Sequence, residues 1–153
     1  MPNGLRRPVA VRVFLQLGRS ATTLLELDVE KLPALLEQMA KDPLSRYINL
    51  SDAAGLTLRK KDLSSGTYAA VAKVEERLLL NEYTEKGYGG KSVAAYERLA
   101  DTYEKAGDSA KAVATMKKAI SFAQQQKAPE EQIRKLQDTL ARYKQAATKT
   151  AEL

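Results

Sequence analysis

The beginning of the chain alternates between apolar and polar side chains. Every second residue of segment 9–17 is aliphatic, which is the period of a half-buried strand. A turn sequence at residues 18–20 follows, and residues 22–27 are rich in side chains that suit a pleated sheet. We therefore predict a β-hairpin in this part of the chain.

A helix is predicted after this hairpin. Asp28 can cap its start, Pro33 falls in the first turn where proline is tolerated, and Asp42 precedes a proline that ends the helix. Apolar residues recur at spacings of three and four, so they are expected to face the core. These residues are Leu32, Leu35, Leu36 and Met39.

Two short runs follow the helix, at residues 46–50 and 56–60, and the connection between them ends in Gly55. We predict that they form a second hairpin. The predicted fold class is therefore α+β. It consists of a small N-terminal antiparallel sheet with one helix, in unit 1–66, followed by an antiparallel helical unit, residues 67–153.

The second half of the chain is predicted to be helical, because Ala, Leu, Glu, Lys and Gln dominate from Thr67 onward. A glycine-rich segment at residues 87–90 stops the first helix. Ser92 and Asp108 are suited to cap the next two helices, and Pro129 opens the last one. The predicted helices cover about residues 68–86, 93–105, 109–126 and 130–144.

Residues 93–126 carry a motif with a specific spacing. Its alanines allow two antiparallel helices to approach closely, larger residues fill the remaining space, and Gly107 permits the reversal between the helices. The packing positions hold Tyr96, Leu99, Ala100, Tyr103, Ala112, Met116 and Ala119. In these residues the chain resembles a single tetratricopeptide repeat, although Gln124 stands where the family has proline.

The resemblance implies a module that binds other proteins through a concave surface formed by the first helix of the hairpin. On that helix it points to a charged set of partner-binding residues: Glu97, Arg98, Asp101, Glu104 and Lys105. An adaptor or assembly component with a protein partner is therefore the function that we expect.

A single repeat also leaves apolar surface at both of its ends, which must be covered. The last predicted helix carries a stripe that could serve self-association: Ile133, Leu136, Leu140 and Tyr143. Two arrangements stay open at this point. The stripe either contacts a second copy in a two-fold homodimer or packs on the preceding helix of the same chain.

Catalytic chemistry is not expected. The chain has no Cys and no His, which removes disulfides, thiolates and the commonest general base and metal ligand. The acids Glu75, Glu76, Glu82 and Glu85 are interpreted as a solvated helix face. A Gly-Lys-Ser sequence at residues 90–92 lacks the earlier glycine and the preceding strand of a phosphate loop. We predict a non-enzymatic protein without a cofactor or a metal.

The charge of +6 is spread thinly over 25 basic and 19 acidic residues. The alternative function is nucleic-acid association through the basic residues of the N-terminal unit, namely Arg6, Arg7, Arg12, Arg59, Lys60 and Lys61. No apolar run approaches the roughly 20 residues that cross a bilayer, so no membrane span is expected. The absence of Cys favours a cytoplasmic location.

Overall fold

A computed structural model describes residues 29–42, 47–80 and 91–151 of the chain. Within these ranges the protein forms six α-helices and one short 3-10 turn, Val29–Lys31, and no strand. The helices are α1 (Leu32–Lys41), α2 (Tyr47–Leu58), α3 (Ser65–Leu80), α4 (Val93–Lys105), α5 (Ser109–Gln125) and α6 (Glu130–Ala151).

The predicted α+β fold is wrong, because helix α2 occupies the place of the second predicted hairpin. Gly55, which was expected to end a turn, lies on the exposed side of α2, and a Cβ atom there would meet open space. The buried residues of α2 recur at helical spacing instead: Leu50, Ala53, Ala54 and Thr57. The first predicted hairpin, residues 9–27, lies outside the described residues.

The helix predicted in this segment is confirmed as α1; its N-cap is Lys31, without a side-chain cap bond, and the predicted cap Asp28 lies outside the described residues. Pro33 lies in its first turn, and the Asp42 amide donates to the Gln38 carbonyl at 2.9 Å at its end. Arg77 of α3 also donates to the carbonyl oxygens of Met39 and Ala40, at 2.8 and 3.0 Å. A cation at this position complements the negative end of the α1 dipole and satisfies its last carbonyls.

Helices α1, α2 and α3 enclose a first hydrophobic core, with α1 and α2 both packed on α3. Each helix gives one apolar face to this core, since its residues repeat at spacings of three and four. The first core consists of Leu32, Leu35, Leu36, Met39, Leu50, Ala53, Ala54, Ala70, Val71, Val74 and Leu78.

The three helices predicted after residue 91 are confirmed as α4, α5 and α6. Ser92 Oγ accepts from the Ala95 amide at 3.1 Å, and Asp108 Oδ1 accepts from the Lys111 amide at 3.0 Å, so both predicted caps are present. Gly107 has a φ of +82° in the turn between α4 and α5, a conformation that favours glycine. Helix α6 continues past the predicted end near residue 144.

Helices α3 to α6 enclose a second core in which α5 packs between α4 and α6. Ala100, Ala112 and Ala119 are fully buried, as close approach of α4 and α5 requires. Helix α3 also contributes here, through Ala72 and Leu79, so it gives one face to each core. The second core consists of Ala72, Leu79, Leu99, Ala100, Tyr103, Ala112, Met116, Ala119, Ala123, Leu136 and Tyr143.

The described helices therefore form a compact bundle in which they pack against one another, compatible with a helical-repeat architecture. The predicted boundary between units 1–66 and 67–153 falls in the first turn of α3. Among the described helices, none has the length and apolar character that crossing a membrane requires.

Candidate protein-binding surface

Helix α4 presents its charged residues on the side that faces away from the second core. We call this set the α4 face: Glu97, Arg98, Asp101, Glu104 and Lys105. Glu104 is half-buried and the other four are exposed. The helical period separates them from Leu99, Ala100 and Tyr103, which are buried against α5 and α6. The residues predicted to bind a partner thus share one surface.

Arg98 connects the α4 face to a buried carboxylate of α3. Its Nε donates to Glu75 Oε1 at 2.7 Å; the Arg98 side chain is 55% exposed, whereas that of Glu75 is 2% exposed. The other oxygen, Glu75 Oε2, is buried without a hydrogen-bond partner in the described part of the chain. Burial raises the pKa of Glu75, and the Thr102 side chain and the positive charge of Arg98 oppose this only partly.

Two further contacts join α4 to α3. The Tyr103 hydroxyl donates to a Glu76 carboxylate oxygen, and burial together with this bond raises the pKa of Tyr103. Lys105 Nζ lies 2.7 Å from Asp101 Oδ2 and 5.8 Å from the centre of the Tyr68 ring. The two cations of the α4 face are therefore turned toward groups of this chain.

The charges of α4 also act on Tyr143 of α6. The Tyr143 side chain belongs to the second core and is 9% exposed. Burial raises the pKa of Tyr143, and the negative charges of Asp101, Glu104 and Glu97 raise it further. We call Glu97, Asp101 and Glu104 the acidic face, since these three carboxylates lie on the outward side of α4.

The stripe predicted for self-association packs within the single chain. Leu136 is 1% exposed in the second core, and Ile133 and Leu140 are partly buried against that core. Of the two predicted arrangements, the described contacts show the one in which the stripe packs on its own chain. Contact with a second copy stays a prediction.

Sequence reasoning missed the role of Glu75. It was assigned to a solvated helix face, but its side chain is buried. The neighbouring cations of α3 are directed to α1: Lys73 Nζ lies 2.6 Å from Glu37 Oε1, and Arg77 binds the end of that helix. The sequence did contain a signal for its burial, because Ala72, Glu75 and Leu79 are three and four residues apart and so share one side of α3. Ala72 and Leu79 are buried in the second core on that side.

Among the described residues, no group of three or more acidic side chains is placed to hold a metal ion. Of the basic residues considered for nucleic-acid association, Arg59 and Lys61 are exposed after the end of α2. Arg6, Arg7 and Arg12 lie outside the described ranges.

No family model, curated protein or solved structure matches this chain. The resemblance to a tetratricopeptide repeat therefore depends on the residues of segment 93–126 and on the close packing of α4 against α5.

Proposed function

We propose that the protein is a non-enzymatic interaction module, an adaptor or assembly component, which binds another protein through the α4 face. The observation that carries this proposal is the placement of five charged residues on one outward side of a helix whose other side is packed into the second core. The tetratricopeptide-like spacing of segment 93–126 supports the same function. A cytoplasmic location is part of this proposal.

The fixed position of α4 favours binding. The helix is held by α5 along the hairpin and by α3 through the Arg98–Glu75 and Tyr103–Glu76 contacts. A surface that is already ordered loses little conformational freedom when a partner binds, so more of the contact energy appears as affinity. A rigid helical framework is a common way to present such residues.

The proposal can be tested by crosslinking in the native cell. A photoreactive amino acid would replace Glu97 in the intact chain, and a matched variant would carry it at Lys118, which is exposed on α5. We expect discrete protein adducts from position 97 and not from position 118. Equal adducts from both positions, or none from position 97, would contradict the proposal.

The same experiment distinguishes the alternative partner class. Adducts that disappear after nuclease treatment, from a photoreactive residue at Arg59 or Lys61, would favour association with nucleic acid. Duplex binding that falls steeply with salt would support that outcome, since phosphate contacts release condensed counterions.

A further inference from the structure

The positive charge of the described chain is concentrated on its last two helices. Residues 109–151, which form α5, α6 and the turn between them, carry nine basic and three acidic side chains. This excess of six positive charges equals the formal net charge of the whole protein. The described residues before them, in 29–42, 47–80 and 91–108, carry ten basic and eleven acidic side chains and are nearly balanced. Basic charge gathered on one part of a molecule is typical of a surface that binds a polyanion.

Helix α5 contains no acidic residue, and its exposed positions hold only Lys, Gln, Ser and Ala. Lys111 in its first turn is engaged within the chain, since its Nζ lies 3.3 Å from Asp108 Oδ2 and 5.2 Å from the centre of the Tyr103 ring. The other lysines of α5 and of the turn after it are exposed, and no ion pair joins them to a carboxylate of the described residues. We call them the α5 basic face: Lys117, Lys118 and Lys127.

Lys127 occupies a backbone position that favours glycine. Its amide donates to the Gln124 carbonyl at 3.0 Å, and the next amide donates to the Ala123 carbonyl at 2.9 Å. The turn after α4 has the same pair of hydrogen bonds, with Gly107 at the equivalent position. The φ angle is +54° at Lys127 and +82° at Gly107, in the left-handed region where a side chain is strained. Glycine would satisfy this turn with less strain, so the lysine contributes its charge.

We propose that the α5 basic face binds the phosphate backbone of double-stranded nucleic acid without reading the base sequence. Such a duplex carries one negative charge per about 1.7 Å of its axis. Ten residues of helix span about 15 Å, so the three ammonium groups cover the length of about four base pairs. This surface is separate from the α4 face, and the inference does not depend on the proposed function.

The residues around these lysines favour a duplex over other anionic partners. No aromatic or large aliphatic side chain is exposed on α5, where Phe122 is partly buried with its ring 5.9 Å from that of Tyr96. Protein partners are usually anchored by such a side chain, and a helix that lies on a lipid surface inserts one. A single strand uses aromatic rings for base stacking. Contacts to duplex phosphates require only donors, which Lys, Gln and Ser supply.

Helix α6 adds long-range attraction to this surface. Two of its three acids, Glu130 and Glu131, lie in its first turn, where the positive end of the helix dipole accommodates them. Glu131 Oε1 also lies 2.7 Å from Lys135 Nζ, which neutralises both groups. The remaining exposed basic residues raise the positive potential along the helix and speed the encounter with a polyanion. They are Arg134, Arg142, Lys144 and Lys149.

The test measures binding of the intact protein to a fluorescent duplex of about 20 base pairs, by fluorescence anisotropy at salt concentrations from about 50 to 200 mM. We expect saturable binding with a Kd of about 1–100 μM at physiological salt. Each phosphate contact contributes about −0.9 to the slope of log K against log salt, so three contacts give a slope of about −3. DNA and RNA duplexes of equal length show which one binds more tightly, and a single strand should bind more weakly than either.

Variants locate the contacts. Lys117→Gln with Lys118→Gln should raise the Kd by at least about tenfold and make the salt slope shallower by about 2. Lys127→Gly should make the slope shallower by about 1, with an unchanged or higher melting midpoint because glycine suits the φ of this position. The control, Lys31→Gln with Lys41→Gln, removes two exposed charges from the ends of α1 and should leave the Kd within about threefold.

Four results would overturn the proposal. Two are the absence of saturable binding to either duplex and an equal weakening by the α1 and α5 double variants. A third is a stronger weakening by Arg59→Gln with Lys61→Gln, which would move the contact to the end of α2. The fourth is tighter binding to vesicles of phosphatidylcholine and phosphatidylserine than to a duplex, which would indicate a membrane surface. None of these results affects the proposed function, because the adducts expected from position 97 are with protein.

Discussion

Replacement of Arg98 by methionine is the most informative test of how α4 is attached to α3. The substitution keeps an apolar stem of similar length and removes the guanidinium group from Glu75 Oε1, which it binds at 2.7 Å. Glu75 is 2% exposed, so water has little access to the carboxylate that remains. The variant therefore leaves a buried negative charge without its counterion.

The expected loss follows from the burial of the two partners. Removing one partner of a fully buried pair costs about 3–5 kcal/mol, whereas exposed pairs contribute about 0–1 kcal/mol. Here one partner is buried and the other is 55% exposed, so solvent screens part of the interaction. We expect Arg98→Met to lower the free energy of unfolding by about 1–3 kcal/mol at neutral pH.

The loss should depend on pH in a defined direction. Because burial raises the pKa of Glu75 above its usual value near 4.5, the folded state binds this proton more tightly than the unfolded state. Stability from this group is therefore present at low pH and is lost as the pH rises through the folded pKa. Without Arg98 that pKa rises further, so the deficit of the variant should shrink as the medium is acidified.

Urea denaturation monitored by circular dichroism at pH 7 and pH 5 measures both effects. Arg134→Met, on the exposed side of α6, is the matched control and should change the free energy of unfolding by less than about 0.5 kcal/mol. Adding Glu75→Gln to Arg98→Met should recover part of the loss. Equal midpoints for the two arginine variants at pH 7, or a deficit that grows at pH 5, would refute the reasoning.

Three further predictions concern packing. Ala112→Leu should lower the free energy of unfolding by about 1–3 kcal/mol, because it overpacks the fully buried contact between α4 and α5. Ala114→Leu, on the exposed side of α5, should leave the free energy of unfolding nearly unchanged, and equal urea midpoints for the two variants would contradict this. Leu136→Glu with Leu140→Glu should unfold the chain, and a folded monomer derived from a dimer in sedimentation would instead support self-association. Residues 67–153 alone should bind a hydrophobic dye through the uncovered face of α3, and a cooperatively melting product without dye binding would oppose this.

The helices with apolar stripes and polar caps could be predicted from the sequence. The positions of Ser92 and Asp108 predicted where α4 and α5 begin, because a side-chain oxygen before a periodic segment satisfies the free amides of the first turn. The alanines of the α4–α5 hairpin predicted its close packing, because small side chains at helical spacing let two helices approach each other. These signals act within about one turn of helix, which a single sequence contains in full.

Helix α2 could not be predicted by the same reasoning, because its buried face is made largely of small residues. Ala53, Ala54 and Thr57 were treated as a connection and a strand, although with Leu50 they repeat at helical spacing. Gly55 costs a helix about 1 kcal/mol relative to alanine. Packing of α2 on α3 offsets that cost, and this contact is tertiary, so the helical spacing of small residues did not by itself distinguish a helix from a connection and a strand.

The contacts that shape the candidate site were also beyond the sequence. Arg98 and Glu75 are 23 residues apart, and Tyr103 and Glu76 are 27 apart. Helical spacing relates residues within a few turns, so it cannot pair side chains on different helices.

The division of charge on α4 determines how the partner must be sought. Arg98 and Lys105 are engaged on the side of α3, so the outward charge of this helix is negative although the whole protein is positive. A partner that is attracted by the net positive charge of the whole protein would be an acidic protein or a nucleic acid, and its binding would weaken steeply with salt. A partner selected by the acidic face would be basic, and its binding would depend on Glu97, Asp101 and Glu104. Because the two modes of selection require partners of opposite charge, the charge of the first crosslinked segment decides between them.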